Sequence, residues 1–370
     1  MREKDCKYRH FFEEYKFFSW IIIYICKPAT EPMNTSKKHA SLKDIANYVG
    51  VSTSLVSFVL NGKARQHRVS EEMVRKIKDA AEKLNYQPNI FAKSLREGKS
   101  RVIGVVLSDI SNPFFSSIAR CLEDEAEKYG YSVLFSSSDE NRERSENQIA
   151  HLINRGVDGL ILVPCEHSES TVTAVLETGK PLVLIDRYFP QVQTNYVCLN
   201  NKEMSRLATE RLLAAGYNHP AVVAYDTTLQ HMQDRISGYR QAMQEAGKGD
   251  SVSVIRIKEP NLHAVISGVI DKTLSEGVDS ILFATNNITI ESLMVMKEKG
   301  INIPEKLGII GFDGGSAFDL FHVPISYIQQ PVPLMAQKAV EIIMDEIMMG
   351  QKLTQHIEVQ GSLVLKASTK

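Results

Sequence analysis

Three apolar runs in the chain each deliver a polar side chain at their end: "VLID" finishes on Asp186, "LFAT" is followed by Asn286, and "IIGF" by Asp313. An ionised carboxylate only accepts hydrogen bonds, whereas an amide both donates and accepts, so such groups together pair well with the vicinal hydroxyls of a polyol. Phe114 and Phe115 add ring faces on which a sugar or base can stack, although a core role suits them nearly as well. Taken singly, each acid reads equally as a strand-end or helix-cap residue. The chemistry they offer jointly is recognition, not turnover. There is no G-x-G-x-x-G, no P-loop and no G-x-S-x-G elbow, so neither a cofactor cradle nor an activated nucleophile is expected, and the chain reads as a non-enzyme without cofactor. Cys165-Glu166-His167 carries metal-ligand types, but three adjacent residues rarely complete a site, and a strand-end loop without metal is the better reading.

The elements that must position these groups begin at Arg101. Short apolar runs, "VIGVVL", "YSVLF", "VDGLILV", "PLVLID", "AVVAY", "SVIRI", "SILFA" and "LGIIGF", alternate with amphipathic helices. Runs buried on both faces and separated by helices predict parallel sheets. Two successive series predict an α/β fold of two lobes with a cleft between them, into which the ends of the strands point.

Charge divides the chain differently. Residues 33–100 hold 13 Lys and Arg against 6 Asp and Glu, whereas residues 101–370 hold 24 against 33. A basic module built for a polyanion is thus joined to an acidic body. In the module, Ser41 with Asp44 can box the start of a helix carrying Leu42, Ile45, Ala46 and Val49 on one face, and Gly50 makes the turn. Ser52 caps a second helix with Leu55, Val56, Val59 and Leu60 inward and Thr53, Ser54, Ser57 and Phe58 outward, stopped by Asn61-Gly62. Ser70 caps a third helix that buries Val74, Ile77, Ala81 and Leu84. Two helices about a glycine turn, braced by a third, make the helix-turn-helix plan.

The stretches "LKDIANYVGVSTSLVSFVLNGK" and "VSEEMVRKIKDAAEKLNYQPNIFAKSLREGKSRVIGVVLSDISNPFF" closely resemble the lactose/galactose-repressor (LacI/GalR) family, a likeness running from about Ser41 to Ser368. The resemblance implies a headpiece over residues 41–87, a hinge helix and linker over 88–100, and a periplasmic-binding-protein-like effector and dimerisation domain over 101–370. By the same resemblance Thr53 and Ser54 take the main base-reading positions, Ser57 and Asn61 join them, and Phe58 replaces a frequent arginine. Phe58 cannot make an arginine's bidentate contact to guanine, which leaves a thymine methyl, no contact, or a place in the headpiece core. Ala92, Lys93 and Leu95 match the hinge residues that enter the minor groove, Leu95 as the wedge.

In the body, the family register adds Asn112, Phe114, Phe115, Arg235 of "DRISGY" and Gln330 of "IQQP" to Asp186, Asn286 and Asp313 as effector-binding positions. The chain is also expected to cross back between lobes near Ile325 to Gln330. Gly314 and Asn287 stand where the family often has acids, and Arg187 suits either an anionic ligand or a simple ion pair. The implied function is a homodimeric transcriptional regulator, expected to repress, that binds double-stranded operator DNA under control of a sugar-like effector.

Five cysteines without C-x-x-C spacing read as reduced thiols, consistent with a cytoplasmic protein. "FFSWIIIYIC", Phe17 to Cys26, is half a membrane span, and acidic Glu13 and Glu14 precede it; residues 1–40 are expected to be an extension, not native before Met33, with no membrane partner. A rival reading, an exported solute-binding protein, shares the body but needs a cleavable signal and no headpiece.

Overall fold

A computed structural model describes residues 40–86, 98–258, 261–350 and 354–369, which fall into two compact units, one ending at Tyr86 and the other beginning at Gly98. The N-terminal extension up to His39 and the hinge positions Ala92, Lys93 and Leu95 lie outside the described residues.

The first unit consists of α1 (Leu42–Val49), α2 (Thr53–Leu60) and α3 (Glu71–Lys83). Ser41 and Asp44 form the reciprocal capping box, and Gly50 ends α1 at φ +76°, a left-handed turn in which a side chain would be strained. Ser52 and Ser70 cap the other two helices. Ile45, Ala46, Val56, Val59, Ile77 and Ala80 make the core, against which Leu42, Val49, Leu55, Leu60, Val74, Ala81 and Leu84 are half-buried. The third helix seats Ala80 deeper than the expected Ala81, while Ile77 is fully buried as expected and Val74 and Leu84 are half-buried.

The second unit has two lobes, each a six-stranded sheet between helices. The first sheet has the order β11-β5-β4-β3-β1-β2, built from β1 (Val102–Leu107), β2 (Ser132–Ser137), β3 (Gly159–Leu162), β4 (Leu182–Ile185), β5 (Asn195–Leu199) and β11 (His356–Val359), all parallel. The second has the order β12-β10-β9-β8-β6-β7, built from β6 (Pro220–Tyr225), β7 (Ser253–Ile257), β8 (Ser280–Phe283), β9 (Gly308–Phe312), β10 (Ser326–Gln329) and β12 (Ser362–Val364). All eight apolar runs form strands. One expectation fails in part: β12 runs antiparallel to β10, so the second sheet is mixed. A three-residue edge strand arriving from the other lobe has no crossover helix to impose parallel pairing.

Helices α4 (Pro113–Lys128), α5 (Arg142–Asn154) and α6 (Glu169–Glu177) cover the first sheet, together with the late helix α12 (Val332–Met349). Helices α7 (Asn201–Ala214), α8 (Gln230–Glu245), α9 (Leu262–Ser275), α10 (Asn286–Glu298) and α11 (Ser316–Leu320) cover the second. The chain passes between lobes after β5, after β10 and after β11. The expected return near residues 325–330 thus falls at Gln330, after β10 has joined the second sheet. The order of strands reverses at β1 in one sheet and at β6 in the other, so the loops beyond the carboxyl ends of both face a common cleft.

Candidate functional site

Between the lobes lies a cavity of about 920 Å³, and its walls include Asn112, Phe114, Phe115, Asp186, Arg235, Asn286, Asp313 and Gln330. Each follows the carboxyl end of a strand or opens the next helix, except Arg235, which reaches in from the second turn of α8. Volume and polar lining suit a ligand of one or two sugar rings.

Two acids of the cavity share an unusual backbone. Asp186 and Asp313 have φ of +69° and +54°, in a region that Asp tolerates better than most side chains. The turn lets each main chain leave its sheet sharply while the carboxyl stays at the strand end. Burial drives the Asp186 carboxyl above the usual carboxylate range, against the pull of Arg187 and Arg235. Burial likewise pushes Asp313 up to about 6, although Arg235 and Gln330 favour its charged form. Gln330 donates from Nε2 to Asp313 Oδ1 at 2.8 Å, and its own buried Oε1 has no hydrogen-bond partner within the described residues.

Arg235 is almost wholly buried. Nε donates to Asn201 Oδ1 at 2.7 Å, one terminal nitrogen donates to the Ala284 carbonyl at 2.6 Å, and the guanidinium lies 3.9 Å from the centre of the Phe312 ring. It therefore ties α7 to the ends of β8 and β9 while facing the cavity. Gly238, one helical turn on, lets α8 approach α7: a Cβ there would lie 1.9 Å from the Lys202 carbonyl oxygen. Tyr239 is fully buried, donating to the Pro220 carbonyl and accepting from the Ser253 N–H, both at 2.8 Å. The "RISGY" stretch is thus a packing device as well as the bearer of Arg235.

Arg187 forms an ion pair. Both terminal nitrogens meet the Glu140 carboxylate, at 2.7 and 2.8 Å, and Nε lies 3.5 Å from Asp186. Burial alone would weaken its hold on the proton, but Glu140 and Asp186 reverse this and keep it charged. Burial also raises Glu140, and Arg187 outweighs that to hold its carboxyl below the usual range. Gly314, in place of a second acid, makes room for Tyr327: a Cβ would sit 2.2 Å from the ring, which would have to move.

Among the described residues, three contacts beside the cavity tie the lobes. Asn112, at the cap of α4, and Asn286, the first residue of α10, exchange amide hydrogen bonds of 3.0 and 3.4 Å. Glu166 accepts from the Thr228 hydroxyl at 2.8 Å and from its N–H. Leu229, from the second lobe, inserts among Phe189 and other apolar residues of the first. Glu166 is therefore an interlobe strut, and its neighbour His167, with a largely exposed side chain, keeps Nε2 3.9 Å from the same carboxylate.

Sequence reasoning missed Glu140, Leu229 and His231, and it noted Glu166 only within a strand-end loop of metal-ligand types, without its interlobe role. His231 is buried in the cavity wall with no hydrogen-bond partner for Nδ1 among the described residues. Burial, with Arg187 and Arg235 nearby, drives its pKa well down, so it is a neutral imidazole. Its place, four residues before Arg235 on α8, was the one available signal.

In the helical unit, Thr53 and Ser54 are exposed on α2. Ser57 and Asn61 are joined, the Asn61 amide donating to the Ser57 carbonyl at 2.6 Å and to its hydroxyl at 3.2 Å. Phe58 is half-buried but outside the core cluster.

Residues 100–367 match the family described as periplasmic binding proteins and sugar binding domain of LacI family, and residues 41–89 match bacterial regulatory proteins, lacI family. Similar curated proteins include the probable HTH-type transcriptional regulator EndR of Paenibacillus polymyxa, 29% identical with 86% of this chain and 93% of the relative covered. The HTH-type transcriptional regulator KdgR of Bacillus subtilis is 28% identical, covering 89% of this chain and 98% of the relative. Among solved structures, a lac repressor dimer bound to operator and the anti-inducer ONPF superposes with a TM-score of 0.79 at 23% identity, covering 90% of this chain and 99% of that one. A LacI family transcriptional regulator from Enterococcus faecium with bound ribose gives 0.65 at 22% identity, covering 72% and 98%.

Proposed function

The chain belongs to the LacI family of bacterial regulatory proteins, and from that premise we propose that the cavity between its lobes is the effector site whose occupancy sets operator affinity. The protein is a DNA-binding transcription regulator and not an enzyme. No helix among the described residues is long and apolar enough to cross a membrane.

The observation that carries the site assignment is convergence. Asp186, His231, Asp313 and Gln330 all line one cavity, drawn from both lobes. Two carboxyls and a glutamine amide call for a ligand rich in O–H or N–H groups, and a neutral imidazole beside them can donate or accept. Arg187 is committed to Glu140, and Arg144 to Asp139 at 2.6 Å, which disfavours a phosphorylated ligand. A neutral, polyhydroxylated molecule such as a sugar fits best.

The proposed mechanism is a population shift. Effector bridging the lobes changes how often the interlobe ties are made, hence how two protomers meet, hence how readily residues 88–100 with Ala92, Lys93 and Leu95 fold into the minor groove of the operator. Thr53, Ser54, Ser57, Phe58 and Asn61 face the major groove from residues 41–87, and residues 101–370 supply effector binding and dimerisation. Binding of effector and operator must then be reciprocally coupled.

The test is binding of the purified chain to a fragmented genomic library, followed by titration of a panel of neutral sugars against the enriched site. A two-fold symmetric site released or tightened by one sugar supports the reading. Sequence-blind, salt-sensitive binding, or a symmetric site that no panel member shifts while none raises the melting temperature, sinks its DNA or its sensor half respectively.

A further inference from the structure

Phe58 raises a problem of physical chemistry on the outward face of α2. An unsupported phenyl there exposes apolar surface and is free to change rotamer, both unfavourable in a residue meant to read DNA. The structure supplies a support: the His67 imidazole lies on the phenyl ring, centroids 3.5 Å apart and planes 9° from parallel. His67 belongs to the loop after α2 and is itself exposed.

The loop is built to bring it there. The Lys63 N–H bonds back to the Phe58 carbonyl at 2.8 Å, the His67 N–H to the Lys63 carbonyl at 3.2 Å, and the Val69 N–H to the Ala64 carbonyl at 2.9 Å. Arg68 takes a left-handed φ of +54° where the loop turns towards Ser70. Lys63, Arg65 and Arg68 are exposed on the same loop, so the segment that carries His67 also carries phosphate-binding charge.

The geometry points to Phe58 and His67 as one preassembled reading unit, in which Phe58 takes a thymine methyl in the major groove and His67 is the positioning residue that holds its ring. The thymine methyl is the apolar feature of the major-groove edge, and the exposed hydroxyls of Thr53 and Ser54 leave hydrogen-bonding readout to their own turn of the helix. Fixing the phenyl before binding removes the ordering penalty it would otherwise carry into the complex. The inference rests on the operator-binding reading above and adds a residue from outside the recognition helix.

Selection from a random duplex library by the full chain, with sequencing of bound species, tests it. The wild type should enrich a symmetric site with one strongly preferred T·A pair per half-site. Phe58→Ala and His67→Ala should each lower that single preference about tenfold while leaving the other positions unchanged. His67→Phe, which keeps a ring in the stack, should restore it, and Phe58→Arg should move the preference at the same pair to guanine. An unchanged preference in His67→Ala, no rescue by His67→Phe, or a uniform loss at every position in variants with wild-type melting curves would each overturn the proposal. A wild type that enriches no site defeats the regulator reading itself, and this proposal with it.

Discussion

Asp186 and Asp313 occupy equivalent places in the two lobes. Each follows the third strand from the edge at which β11 or β12 lies, each is left-handed, and each donates its N–H at 2.9 Å to the neighbouring strand, Asp186 to Val197 and Asp313 to Ile328. The lobes thus present two carboxyls to one cavity through the same backbone device. Strain of this kind persists only where the surroundings enforce it, here by carrying the ladder one residue past the strand end.

The Asp313 carboxyl gives the sensor a pH dependence of definite sign. An acid whose pKa is raised by folding, here from 3.8 to about 6, binds its proton more tightly in the native state, so the contribution of this one carboxyl to stability is greatest below pH 4 and is lost as pH rises through 6. Asp313→Asn keeps the acceptor for Gln330 and removes the charge. Denaturant midpoints should show the variant more stable by about 1–3 kcal/mol at pH 7 and equal to wild type near pH 4. A constant difference across that range would mean the carboxyl does not titrate there.

Arg235→Ala should be costly to the fold as well as to the response. It leaves the Asn201 side-chain oxygen and the Ala284 carbonyl without their donor and removes the cation beside Asp186 and Asp313. A loss of about 2–5 kcal/mol in sensor stability is expected. At low temperature the folded variant should hold operator DNA and ignore the sugar to which the wild type responds. A variant that still releases operator with wild-type sugar dependence would take Arg235 out of the site.

How much of this was legible in the sequence depended on distance along the chain. Asp186, Asn286 and Asp313 were visible because each follows an apolar run, and Arg235 because its motif is local. The Glu140–Arg187 pair spans 47 residues and the Glu166–Thr228 strut 62, and nothing in either segment names its partner. The antiparallel β12 was hidden by its length, since three residues carry no usable alternation. Phe58 was ambiguous because helical spacing cannot say whether an outer aromatic is bare or covered. Its cover is His67, in a loop without periodicity.

Gly238 and Gly268 make a matched pair. Both are helical, but a Cβ at Gly238 meets the Lys202 carbonyl at 1.9 Å, whereas one at Gly268 meets nothing within 4 Å. Gly238→Ala should drive α8 from α7 and lower stability by at least about 2 kcal/mol, while Gly268→Ala should raise it by about 0.5–1 kcal/mol. Urea unfolding of both variants checks the contrast. Equal effects would show that the α7–α8 contact yields more readily than its backbone geometry implies.

The Asn112–Asn286 exchange should behave as an energetic latch between the lobes. Each amide is also fixed locally, Asn112 by accepting from the Phe114 N–H at 3.0 Å and Asn286 by its place behind the Thr285 cap, so neither can follow the other if the lobes part. Asn112→Ala and Asn286→Ala should each lower sensor stability by about 1 kcal/mol, with a coupling energy of about 1 kcal/mol in the double-mutant cycle. Both singles should expand the sensor in solution scattering, because a direct bond between the lobes at the cavity is then lost. Additive losses without expansion would place each amide's contribution in its own helix cap and take the exchange out of the coupling between the lobes.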